Sequence, residues 1–167
     1  MWRAIVMTVL LVAKPMGASA TESCPVEHAR YTMMDGSKFS AGFRAIPKTP
    51  DWLSDVAFFV HSGETDRTFW FLFDAGSGRH IYMHSTTDAT KPGWRPPAPD
   101  GGERPLGQML YLAANADLAF SLKLPASEQP APTYVLLPDL PDVMWYRVPE
   151  PRESTPLAFF KLTGCAS

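Results

Sequence analysis

The chain is predicted to be all-β: a single antiparallel sandwich or barrel of about 8–10 strands, with at most one short helix. Three observations predict it. Short runs of aromatic and branched residues recur along the chain, each closed off by turn residues. Apolar and polar positions alternate with period two within several of these runs. Seventeen prolines in 167 residues favour many short elements joined by stiff turns.

The elements follow in order. Residues 31–34 and 37–46 flank Asp35-Gly36, a hairpin turn pair. Residues 47–52 form a connector. Three runs at 55–61, 67–73 and 79–85 are separated by five-residue connections, which predicts an antiparallel meander. The stretch 86–105 holds five prolines and three glycines around Trp94 and excludes a regular element. It is either a long surface loop or the joint between two halves of one domain. Residues 108–114 fit a strand or one face of a short helix. In 118–124, Leu118, Phe120, Leu122 and Leu124 alternate with Ala119, Ser121 and Lys123, as in a half-buried strand. Runs at 133–137, 143–148 and 157–163 complete the set.

The N-terminus predicts export. Arg3 precedes an apolar run, Ala4 to Ala13, and Ala18-Ser19-Ala20 supplies a small-residue cleavage site, so residues 1–20 read as a signal peptide. The run is about half the length needed to span a bilayer, and no membrane span is expected in the mature chain. Residues 21–167 then form one domain, beginning at Thr21, in the periplasm or outside the cell. Arg3 and Lys14 leave with the signal, so 13 of the 15 basic residues remain against 17 acidic ones, a net charge of −4. No basic cluster exceeds two residues, which argues against a nucleic-acid partner. Cys24 and Cys165, the only cysteines, are expected to form one disulfide joining the two ends of the domain. Size and an end-to-end bridge resemble those of secreted eight-stranded ligand barrels. The likeness is architectural, because the Gly-x-Trp opening of such chains is missing: Trp52 and Trp94 lie elsewhere.

The meander supplies the candidate ligand site. Symmetric hairpins would pair His61 with Arg67 and Phe73 with Arg79. Odd positions (Ala57, Phe59, Phe69, Phe71, Phe73, Ile81, Met83) then form a core face. Even positions place Phe58, Trp70 and Tyr82 in one cross-strand row, flanked by Thr68 with His84 on one side and by His80 on the other. Such a row suits a small apolar or glycan ligand if open to solvent. The competing reading is a sheet buried on both faces, and a one-residue slip in either hairpin would break the row.

Other chemistry finds little support. His80 and His84 are about 13 Å apart along a strand, too far to share a metal ion, and no metal or cofactor is expected. Gly76-Ser77-Gly78 lacks the strand-to-helix setting of a nucleophile turn. The expectation is therefore an exported, non-catalytic module that binds a small apolar or glycan ligand or an envelope protein. A hydrolase with an unrecognised site, or a structural or assembly protein of the envelope, are the alternatives.

Overall fold

The computed structural model describes residues 23–36, 38–76 and 78–166. The expected signal segment, residues 1–20, the expected first mature residue, Thr21, and Ser77 lie outside the described residues. The fold is an eight-stranded antiparallel barrel with one additional strand and one short helix. A single 3-10 turn, Val26–His28, precedes β1 (Ala29–Met33). There follow β2 (Phe39–Ala45), β3 (Val56–Ser62), β4 (Arg67–Ala75), β5 (Ile81–Thr86) and β6 (Gln108–Ala114). The last elements are β7 (Phe120–Ser121), β8 (Tyr134–Leu136), α1 (Leu140–Tyr146) and β9 (Phe160–Cys165).

The sheet order β5-β4-β3-β2-β1-β9-β8-β6 is closed by pairing of β5 with β6, and β7 hangs on the end of β6. Every pairing is antiparallel, so eight strands run alternately up and down around the barrel. The Asp35-Gly36 turn forms as expected, with Gly36 at φ 77°, where a side chain would be strained. Residues 108–114, ambiguous in the sequence, are a strand because both edges of the segment are used. Residues 108–111 pair with β5, and 112–114 with β8.

An eight-stranded barrel is just wide enough for side chains to fill it, and aromatic rings fill this one. Phe43 packs edge-on against Phe58 and Tyr31 at centroid distances of 5.0 and 5.9 Å and stacks with Phe73 at 6.0 Å. Tyr111 meets Phe73 at 4.9 Å and Phe58 at 6.1 Å. Helix α1 stoppers the end where β6 begins, since Leu140, Val143 and Met144 join the interior cluster. The opposite end holds the disulfide, Cys24–Cys165, with Cα atoms 5.7 Å apart. That bridge reinforces the seam where β1 pairs with β9, and its presence points to an oxidising compartment.

Two expected strands are corrected. Residues 143–148 were expected to be extended, but 140–146 are helical: Pro141 sits in the first turn, and Leu140, Val143 and Met144 bury one helical face. Residues 118–124 were expected to be a half-buried strand, but only Phe120–Ser121 pairs, and Leu118, Phe120 and Leu122 are all exposed. The cause is local. The Asn115 Oδ1 accepts from the Asp117 and Ala119 amides at 3.0 and 2.9 Å, forming a turn that places Leu118 at φ 61° and interrupts the extended run. The 86–105 stretch is a surface loop held against the outside of the barrel, not a joint between two halves.

Replacing both Cys24 and Cys165 by serine is expected to lower stability by roughly 2–5 kcal/mol, because the bridge restricts a long segment of the unfolded chain. Thermal unfolding with and without reductant measures this, and equal midpoints would contradict it.

Candidate functional site

The first hairpin of the meander decides the fate of the aromatic row. β3 pairs with β4 through His61–Thr68 and Ser62–Arg67, one residue out of the expected register. The turn is shorter by one residue: Ser62 Oγ accepts from the Glu64 and Thr65 amides, and Asp66 takes a left-handed conformation at φ 56°. The second hairpin pairs Phe73 with Met83 instead of Arg79, a shift that preserves the sorting of odd and even positions. Only β3 is therefore inverted relative to the expectation. Val56, Phe58 and Val60 face the interior beside Phe71, Phe73 and Met83. Phe59 lies outside the barrel, directly opposite Trp70.

The expected row does not assemble. Phe58 is fully buried in the barrel, whereas Trp70 lies on the outer face. Tyr82 and His84 are half-buried, while Thr68 and His80 are exposed, with His80 in the turn before β5. His84 Nε2 lies 3.4 Å from Asp74 Oδ2, and His61 Nδ1 lies 3.1 Å from Thr68 Oγ1. Among the described residues, no group of three or more His, Cys, Asp or Glu side chains is placed to hold a metal ion.

The outer face carries a second small core. Trp70, Leu72, Ala57, Ile46 and Trp52 pack together, with Phe59 and Trp94 against them. Phe59 and Trp70 rings are 5.3 Å apart. The Pro/Gly-rich loop clasps this patch: Trp52 Nε1 donates to the Pro97 carbonyl at 2.7 Å, and Trp94 Nε1 donates to Thr87 Oγ1 at 3.1 Å. The Arg104 guanidinium lies over the Trp52 ring at 5.5 Å and donates to the Ala98 carbonyl at 3.1 Å. Trp70 is only 7% exposed.

A cavity lies elsewhere, at the barrel end opposite α1. It is a cleft of about 660 Å³ between the end of β6, the β7 lip and the segment 123–133. Small and apolar residues, among them Ala113, Ala114, Phe120, Leu124, Pro125 and Pro132, share its walls with the polar Asn115, Ser121, Gln129 and Thr133. Among the described residues of its lining, Lys123 is the one lysine or arginine, and none is aspartate, glutamate or histidine. The segment 123–133 is fixed in place from several directions. Ser54 Oγ donates to the Pro125 carbonyl at 2.7 Å, the Val26 amide donates to the Gln129 carbonyl, and the Ala131 amide donates to the Cys24 carbonyl. Leu118, Phe120 and Leu122, at 57, 56 and 59% exposure, form an apolar lip beside the opening.

Two tyrosines lie inside this end. Tyr31 donates from its hydroxyl to the Pro132 carbonyl at 2.8 Å. Tyr111, 1% exposed, contributes to the cleft lining, and its hydroxyl has no hydrogen-bond partner among the described residues. Burial, reinforced by the neighbouring Tyr31, pushes the Tyr111 phenol well above its ordinary range, so it stays protonated. Sequence reasoning missed this site because many of its wall residues are alanines and prolines, whose types advertise nothing, and others belong to 118–124, expected to be a half-buried strand.

The α1 end of the barrel holds a strongly built ion pair. Glu153 is 5% exposed, and Arg67 Nη2 lies 2.9 Å from its Oε1, which also accepts from Thr65 Oγ1. Arg67 also donates to the Pro149 carbonyl at 2.9 Å and to the Pro151 carbonyl, pinning the strap that leads into β9. Compared with known families, with curated proteins and with solved structures, the chain has no match.

Two outcomes follow from this geometry. Trp70→Ala should cost about 3–5 kcal/mol in urea denaturation, the range for truncating a buried large aromatic. A small loss would mean that the ring is not part of a packed layer. For Glu153, burial opposes ionisation, but hydrogen bonds from Ser62, Thr65 and Arg67 and the Arg67 charge outweigh it and hold the carboxyl below its ordinary value. A lowered folded-state pKa contributes stability above the unfolded value, near 4.3, and loses it as pH falls through the folded value. Glu153→Gln should therefore be less stable at neutral pH and show a flatter loss of stability on acidification. Parallel stability-against-pH curves for the two proteins would contradict this.

Proposed function

We propose that this protein is an exported, non-catalytic binding module, acting in the periplasm or outside the cell, that takes a small apolar ligand into the cleft at the open end of its barrel. The observation that carries the reading is the cleft itself. Its volume of about 660 Å³ falls within the range of small-molecule sites, roughly 300–1,000 Å³. Most of its walls are apolar or small, while aromatic rings pack together in the middle of the barrel.

The proposal moves the binding surface away from the meander. Trp70 is dry in the free protein, so its ring surface would gain little from a ligand, whereas Phe120 stands exposed at the cleft. The exposed lip of Leu118, Phe120 and Leu122 supports the same reading, since apolar side chains left open beside an apolar cleft mark an entrance. Export is supported by the Cys24–Cys165 bridge and by the order of charge, apolar run and small residues in 1–20.

The test uses N-phenyl-1-naphthylamine, an uncharged probe that brightens when it leaves water. It is expected to bind one molecule per barrel with enhanced emission. Ala119→Trp, which places a large ring on an exposed wall position of the cleft, should remove that enhancement without altering the circular dichroism spectrum. A folded wild-type protein that leaves the probe dark would overturn the proposal.

A further inference from the structure

We infer that the outer wall of the barrel carries a second site, a groove over β1, β2 and β3 in which Arg30, Arg44 and His28 bind an oxyanion group, a phosphate or a carboxylate. The inference stands apart from the cleft and from the role proposed for it.

Strand pairing brings the basic residues together. Arg30 pairs with Gly42, Gly42 with Phe59 and Phe59 with Trp70, so these positions form one row across the outer wall. Arg44 lies two residues beyond Gly42 and therefore on the same face. His28, the last residue of the 3-10 turn, joins it at the edge of the groove. Gly42 lets the row close up, since a β-carbon there would lie 2.7 Å from the Phe59 ring and 2.8 Å from the Ala29 carbonyl oxygen. The groove has a volume of about 350 Å³. Arg44 is exposed, and Arg30, His28 and Phe59 are half-buried, so solvent reaches them all.

The Arg30 guanidinium is already fixed in position. Its Nη1 donates to the Ala29 and Phe43 carbonyls at 2.9 and 3.2 Å and lies 3.5 Å from the Glu27 carbonyl oxygen, while the group sits 5.6 Å from the centre of the Phe59 ring. Nε and Nη2, which share the other edge, donate to nothing among the described residues, and neither is shut off from solvent as the Tyr111 hydroxyl is. That free edge is a planar fork of the kind that matches two oxygens of a carboxylate or phosphate. Because the other edge is anchored, little side-chain freedom is lost on binding. Arg44 makes no hydrogen bond or ion pair among the described residues and supplies a second cation, and His28 offers a ring N–H.

Neighbouring carboxylates leave this charge unmet. Both Glu27 oxygens accept from the Glu128 amide, at 3.2 and 3.0 Å. Asp88 Oδ1 accepts from the Thr90 hydroxyl and amide at 2.7 and 2.8 Å. Those two bonds, with smaller help from the Lys91 and Arg44 charges, hold the Asp88 carboxyl below its ordinary range. Neither carboxylate pairs with Arg30 or Arg44 among the described residues. In a chain with 17 acidic and 15 basic residues, two arginines side by side without an acidic partner concentrate positive potential. An ammonium would be repelled there, and a neutral group would leave the fork no better served than water does.

The test follows the backbone amides of isotope-labelled protein by nuclear magnetic resonance while inorganic phosphate, and separately acetate, is added. Ionic strength is held at about 0.15 M, where distant charges are screened. At least one anion is expected to shift the amides around Arg30 and Arg44 saturably, and the tighter of the two identifies the group recognised. Arg44→Gln should keep the wild-type circular dichroism spectrum and weaken that binding roughly tenfold, the loss of one charge-assisted hydrogen bond. Arg30→Lys keeps the charge but not the fork, and should also weaken it. Lys38→Gln removes an equal charge at the opposite end of β2 and should change the affinity less than about twofold. No saturable shift with either anion, or equal weakening by Lys38→Gln and Arg44→Gln, would overturn the inference. The cleft is tested separately, by an uncharged probe, so failure at one site is distinguishable from failure at the other.

Discussion

The plug of aromatic rings inside the barrel is the constraint on which the rest of this structure depends. Phe43, Phe58, Phe73, Tyr31 and Tyr111 meet edge-to-face or stacked across an interior that eight strands make only just wide enough for side chains. Rings from β1, β2, β3, β4 and β6 interlock there, so each strand's register is tied to the others. A slip of one residue in any of them would turn its rings outward and leave a void. A filled middle also dictates where a ligand could go. Space remains at the ends, and α1 occupies one of them.

Both ends are finished by segments without regular structure, held in different ways. At the α1 end, Arg67 gathers the 149–153 strap through two carbonyls and the Glu153 carboxylate. Charge supplies the link there, and it depends on pH. At the cleft end, the segment 123–133 is held by backbone amides at Val26 and Ala131, by Ser54 and by Tyr31. To these neutral contacts the carboxylates of Asp55 and Glu27 add hydrogen bonds, accepting from the Ser127 and Glu128 amides, and the Cys24–Cys165 bridge lies next to them. The disulfide thus stabilises the seam of the barrel and also the 3-10 turn that forms one wall of the cleft.

The Pro/Gly-rich loop has a structural role of its own. Its tryptophan, Trp94, and its carbonyl at Pro97 cover the patch of Trp52 and Trp70 on the outer face, where a barrel strand would otherwise expose large apolar side chains to water. This explains why β4 carries large apolar residues at consecutive positions, Trp70 to Phe73: one set points into the barrel and the other into the clasp.

The all-β class, the meander, the Asp35-Gly36 hairpin and the Cys24–Cys165 bridge were legible in the sequence, because each rests on local information. Period-two alternation, turn residues and a lone pair of cysteines need no knowledge of what lies across the barrel. Which face of β3 turns inward was not legible, since one residue in the Ser62–Arg67 turn decides it, and the turn geometry depends on hydrogen bonds to Ser62 Oγ. The helix at 140–146 hid behind residues that also suit a strand, and was settled by the apolar face it presents to the barrel end. The alternating run at 118–124 carried the pattern of burial without the burial, because the Asn115 turn directs it to the rim. The cleft was beyond local reading altogether. Its walls are drawn from β6, β7, the 3-10 turn and the 123–133 segment, and only closure of the barrel brings them together.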